Sequence, residues 1–194
     1  MPWAIVRRPW VVLAALVAYV ALLLFVRDDV VNVPSITMRG SAGIKLMNFL
    51  PMIPLLGLLY CLERRLGHAE ATAVRPVVAA DRALVVATGG AAVMVGLVFN
   101  WAYGMDNAVA AARNVILLVG LALLVRAWYG AHAAAAASVG ALFLTVVTGL
   151  QAPQKPYPWA VLLEPASTPH AAAAGALMLL VGLAAMGRNR VTTP

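Results

Sequence analysis

The sequence predicts an all-α membrane protein of about six transmembrane helices with both termini in the cytoplasm, and three observations predict it. The 194 residues are 63% hydrophobic and 11% charged, whereas a soluble domain carries roughly 25% charged residues to wet its surface. Apolar runs of about the length that crosses a bilayer, roughly 20 residues, recur along the chain. Arg and Lys collect on alternate connections between those runs, which is the bias that orients membrane helices.

The spans fall at about 10–26, 43–62, 83–103, 108–125, 132–150 and 170–187, in a single transmembrane domain over residues 1–194. Arg7 and Arg8 lead into the first span as they would into a signal peptide. No small-x-small cleavage site follows Val26, and Arg27, Asp28 and Asp29 come next, so the span reads as uncleaved. A polar stretch over 27–41, broken by Asn32, Pro34 and Gly40, reads as a solvated outer loop. Pro51 and Pro54 lie in the second span, where a missing N–H kinks a helix. The segment 63–82 is the longest strongly charged one and reads as a cytoplasmic loop, with a short helix around 68–74. Trp101 and Tyr103 close the third span as an interfacial belt. The segment 151–169, with an apolar centre at Trp159–Leu163, reads as extracellular and re-entrant-like.

Orientation follows from the basic residues. Arg7, Arg8, Arg64, Arg65, Arg75, Arg82, Arg126, Arg188 and Arg190 fall on the cytoplasmic side; Arg27, Arg39, Lys45 and Lys155 fall outside. The chain is therefore expected in the cell (cytoplasmic) membrane as a multi-pass protein. Its net charge of +7 sits at the ends of apolar runs, which points to membrane lipid as its partner and away from nucleic acid.

Catalytic chemistry is poorly supported. His68, His132 and His170 are scattered without metal-ligand spacing, and Cys61 is the single cysteine. Gly40-Ser41-Ala42-Gly43 resembles a serine-nucleophile motif but has no His partner in reach of the sequence argument. No metal site is expected and no catalytic residue is assigned. Arg113, about 6–9 Å inside the fourth span, has two open readings: a cation that snorkels or pairs structurally, or, with Asn114, the lining of a pathway. In the fifth span Gly130, Ala134 and Ser138, and again Ala136 and Gly140, are spaced for close helix approach. The 63–82 loop mixes Glu63, Glu70 and Asp81 with its arginines, unlike a purely basic lipid anchor. That leaves a topology signal or a docking element for a soluble protein.

Several short stretches carry a family resemblance: Leu50-Pro51-Met52-Ile53-Pro54-Leu55, Leu62-Glu63-Arg64-Arg65, Glu70-Ala71-Thr72-Ala73-Val74-Arg75-Pro76, Ala111-Ala112-Arg113-Asn114, Pro158-Trp159 and Leu163-Glu164-Pro165-Ala166. Together they resemble the permease subunits of ABC-2-type ABC transporters, especially small integral membrane proteins of actinobacteria. The resemblance implies a dimerising six-helix permease, an exporter, energised by a separate cytosolic ABC ATPase. It implies an ATPase-coupling element between the second and third spans, here Arg64, Arg65, Glu70 and Arg75. It further implies short extracellular helices before the last span and a second permease, identical or not, packed through the first and fifth spans. Such permeases often carry an amphipathic interface helix before the first span, where about nine residues stand here, and are typically longer. No Walker motif is present, so ATP would bind the partner subunit and this chain needs no cofactor of its own. The alternative is a non-transporting membrane anchor or regulatory subunit of a larger complex.

Overall fold

The computed structural model describes residues 7–26, 29–37, 40–64, 77–153 and 155–186. Helix α1, Trp10–Val26, leads into strands β1, Val30–Ser35, and β2, Gly40–Lys45. A 3-10 turn, Leu46–Phe49, precedes α2, Met52–Glu63; then come α3, Val77–Tyr103, and α4, Asp106–Thr148. Two short strands, β3 (Leu150–Gln151) and β4 (Lys155–Pro156), precede α5, Pro169–Ala185.

The helices are apolar on both faces. In α1, Val12, Tyr19, Leu23 and Val26 are buried, while Leu13, Val17 and Phe25 are exposed. That pattern suits a helix whose surroundings are themselves apolar. Leu46–Glu63, Val77–Tyr103 and Asp106–Thr148 are long and apolar enough to cross a membrane, and α1 and α5 are shorter apolar helices.

Helix α4 is two limbs, not one rod. Gly130 has φ +85° and ψ 177°, a conformation that only glycine adopts without strain. Arg113 donates to the carbonyl of Pro165 at 3.0 Å, and the amide of Tyr157 donates to the carbonyl of Gly149 at 2.8 Å. Residues 113 and 149 thus touch one short stretch, yet a straight helix would hold them about 54 Å apart. The chain therefore reverses at Gly130, and limbs 106–129 and 131–148 run antiparallel.

The contacts sort into two ends. At the basic end, Cys61 Sγ meets the Arg8 carbonyl at 3.3 Å, Arg126 donates to the Leu62 carbonyl at 2.7 Å, and His132 lies 3.6 Å from Glu63. At the hairpin end, β1 and β2 pair antiparallel in the register Val30↔Lys45 to Ser35↔Gly40. There the Ile36 amide and the Ser35 hydroxyl both donate to the Val147 carbonyl, at 3.2 and 3.1 Å. Lys45 Nζ reaches Asn107 Oδ1 at 2.7 Å, tying the hairpin to the start of α4. Exposed aromatics mark both levels: Trp10, Tyr60, Trp128 and Tyr129 at the basic end, Trp101, Tyr103 and Trp159 at the other.

The mostly helical fold agrees with the sequence, and α1 has the expected bounds. Three expectations are corrected. The outer loop is a β-hairpin, a pair of short strands in a mostly helical chain, and the expected second span loses its first residues to β2, where Gly43 pairs with Asn32. Pro51 and Pro54 are the N-cap and third residue of α2; a missing N–H there breaks no helical bond, so they start the helix and do not kink it. The third helix begins at Val77, so Asp81 and Arg82 belong to α3 and not to a loop. The expected short helix around 68–74 lies outside the described residues.

Where α4 and α5 cross, their backbones touch. A Cβ added at Gly120 would collide with the backbone of Met178 and Leu179, and one at Gly182 with the Gly120 carbonyl. By contrast, a Cβ at Gly140 meets nothing within 4 Å. Gly120→Ala is expected to destabilise the fold by about 1–3 kcal/mol through overpacking, read as a lower Tm in mild detergent. Gly140→Ala should not lower Tm, because the added methyl meets nothing and alanine favours the helix; an equal fall for both would refute the close crossing.

Candidate functional site

Two buried polar knots stand out, one at each end of the bundle. At the basic end the centre is Arg7, 1% exposed. Its Nη1 donates to the carbonyls of Leu62 at 2.9 Å and Arg64 at 2.8 Å, and its Nη2 meets Asp81 Oδ2 at 2.7 Å. Arg126, from the first limb of α4, donates to the same Leu62 carbonyl. The local reason lies in α2. The last carbonyls of a helix have no partner within it, and positive groups are favourable at that end of the helix dipole. Two guanidinium groups supply both donors and charge, and Asp81 balances them. Removing one member of such a buried pair costs about 3–5 kcal/mol.

At the hairpin end Arg113 and Asn114, adjacent in the first limb of α4, are 7% and 0% exposed. Arg113 donates to the carbonyls of Val161 at 2.9 Å, Glu164 at 2.8 Å and Pro165, while Asn114 Nδ2 donates to Leu162 O at 2.7 Å. Asn114 Oδ1 in turn accepts from Arg113 at 3.2 Å. The planar fork of a guanidinium suits this: several donors, fixed in one plane, against several carbonyls of one turn. The segment they hold has no regular helix. It is a run of turns with Ala160, Leu162 and Glu164 buried and Trp159 exposed and stacked on Tyr157 at 6.1 Å. Glu164 Oε1 lies 3.6 Å from His170 Nε2 at the start of α5. Beside the knot an apolar pocket of about 190 Å³ is lined by Val93, Val109, Ala112, Ile116, Ala172 and Gly175.

Of the residues singled out from sequence, Arg64 lies at the end of α2, exposed, with its guanidinium 4.9 Å over the Tyr60 ring. Arg65, Glu70 and Arg75 lie outside the described residues. Arg113 and Asn114 come together, their N–H groups donating to carbonyls of 161–165. The sequence reading missed Asp81 and Arg126 as partners. The available signal for Asp81 was Pro76, which sets a helix start just after it; Arg126 offered none. Among the described residues no group of three or more His, Cys, Asp or Glu is placed to hold a metal. Guanidinium–carbonyl contacts of this kind fix the backbone they reach.

No family model, curated protein or solved structure matches the chain.

Arg113→Ala leaves several buried carbonyls without a donor, at about 1–3 kcal/mol for each unsatisfied group. The expected result is a clear fall in Tm together with faster proteolysis within 151–168. Arg113→Lys should not restore it, since one ammonium cannot span the same carbonyls. Wild-type Tm and cleavage in both variants would remove the clamp.

Proposed function

We propose that the chain is a transmembrane permease subunit of an ABC transporter, an exporter, energised by a separate cytosolic ATPase and set in the cytoplasmic membrane with six spans. The limbs of α4 count separately, giving six apolar segments with the Leu46–Glu63 segment and α1, α3 and α5. One observation carries the reading. The connection between α2 and α3 leaves from the same end of the bundle that holds Arg7, Arg8, Arg64, Arg82 and Arg126, while Lys45, Lys155 and Arg113 lie at the other. Basic residues stay on the cytoplasmic side, so the charged connection faces the compartment where an ATPase would be. The exposed stripe of Ala136 and Gly140 on the second limb of α4 supports a second permease packed against it.

Cysteine labelling tests the placement. Residue 70 should react only from the cytoplasm and residue 155 only from outside; reaction of both from one side would overturn the six-span arrangement.

Purification in mild detergent should bring down an ABC ATPase. Charge reversal at Glu70 and Arg75 should then lower stimulated ATP hydrolysis without reducing membrane insertion. Unchanged hydrolysis in the verified complex would make the loop a topology signal alone.

A further inference from the structure

The basic end carries a second layer of charge outside its buried knot. Arg7 reaches the Arg64 carbonyl at 2.8 Å and Asp81 at 2.7 Å. Exposed arginines border both contacts: Arg8 follows Arg7, Arg64 lends the carbonyl, and Arg82 follows Asp81. One buried guanidinium thus roots exposed ones from three separate segments of the chain. Arg7 and Asp81 offset each other's charge, and Glu63 is turned toward His132 at 3.6 Å, so the outer layer keeps its positive excess.

Two of these arginines sit on aromatic rings. The Arg8 guanidinium lies 5.7 Å from the centre of the Trp10 ring, and that of Arg64 lies 4.9 Å from the centre of Tyr60. Both rings are exposed, and Trp and Tyr at the end of a membrane helix sit at headgroup level. A guanidinium lying on a ring face still presents N–H donors along its edge. Arg8 holds this pose at φ +49°, a left-handed backbone that is uncommon outside glycine. Its carbonyl accepts from the Val11 amide at 3.0 Å and from Cys61 Sγ at 3.3 Å, which fixes the turn. About one turn further into the membrane the surface is apolar: Leu13 below Trp10, Leu56 below Tyr60 and Val86 below Arg82 are exposed.

We propose that Arg8, Arg64 and Arg82 form a binding site for the phosphate headgroup of an anionic lipid, whose acyl chains run along the apolar side chains beneath. The proposal is independent of the permease reading. Charge complementarity selects the occupant: guanidinium groups pair best with phosphate oxygens, and a second copy of the chain would bring the same positive charge to meet them. The aromatic and apolar surface directly below selects a lipid over a soluble anion or an acidic protein, because only the lipid brings a tail to cover it.

The test melts the purified chain in mild detergent with phosphatidylglycerol or phosphatidylcholine added at the same concentration. A lipid that binds only the folded state raises Tm, and phosphatidylglycerol is expected to raise it by about 3 °C more than phosphatidylcholine does. Arg8→Gln/Arg82→Gln should lose most of this difference while its Tm in phosphatidylcholine stays at the parent's value, because the Arg7–Asp81 knot is untouched. If the double variant is itself less stable, Arg82→Gln alone, on the surface of α3, should still lose part of the difference. Arg188→Gln/Arg190→Gln, which removes the same number of charges from the C-terminal tail, should keep it. Equal stabilisation by the two lipids overturns the site, as does a difference that persists in both Arg8→Gln/Arg82→Gln and Arg82→Gln. Equal loss in the tail variant reduces the effect to diffuse charge and overturns it too. Glycerol phosphate in place of lipid should leave Tm unchanged; the same rise with it would assign the arginines to a soluble anion and overturn the lipid.

Discussion

A helix that ends at the edge of an apolar medium leaves its last carbonyls without hydrogen-bond partners, and no water is there to replace them. This chain meets that constraint with buried arginine. Arg7 and Arg126 serve the end of α2, and Arg113 serves the turn at 161–165. Each guanidinium reaches backbone far away in sequence, so closing a local deficit also fixes where distant helices stand. The ends of the bundle are thereby defined by charge, although the chain holds few charged residues.

The middle of the bundle is held differently. There the chain has little polarity to work with, and small residues let backbones approach until dispersion contacts dominate. Gly120 and Gly182 bring α4 and α5 together in this way. The knots and the crossing are complementary: polar contacts set position and register at the ends, and steric fit excludes other registers between them. The exposed apolar side chains of α1, α3 and α5 are then free to face lipid.

Much of this was legible in the sequence because it depends on local runs. The bounds of α1 follow from Arg7 and Arg8 before it and the charged Arg27–Asp29 after it, and the break between α3 and α4 is written in Gly104. The reversal near Gly130 was bracketed by Arg126 and His132, although Gly130 itself read as a packing residue and is the hinge of the turn. The hairpin was not legible: Asn32, Pro34 and Gly40 look like loop residues, and only the pairing of β1 with β2 makes Asn32 and Pro34 part of one strand and Gly40 the start of the other. The knots were hidden for a similar reason. Arg7 finds Asp81 across 74 residues and Arg113 finds Val161 across 48, and periodicity carries no information at that range. Asp81 looked like a solvated charge until its partner was in place.

That long reach also orders the birth of the molecule. Arg113 is synthesised 48 residues before the first carbonyl that will hold it, and a chain emerging at a steady pace leaves its guanidinium waiting in the meantime. Until 161–165 is made, the Arg113 guanidinium has none of the far carbonyls it donates to in the finished fold. Final seating of α4 is thus postponed to the last quarter of translation. A polypeptide cut short before residue 161 lacks every one of the carbonyls that receive the Arg113 guanidinium in the finished fold.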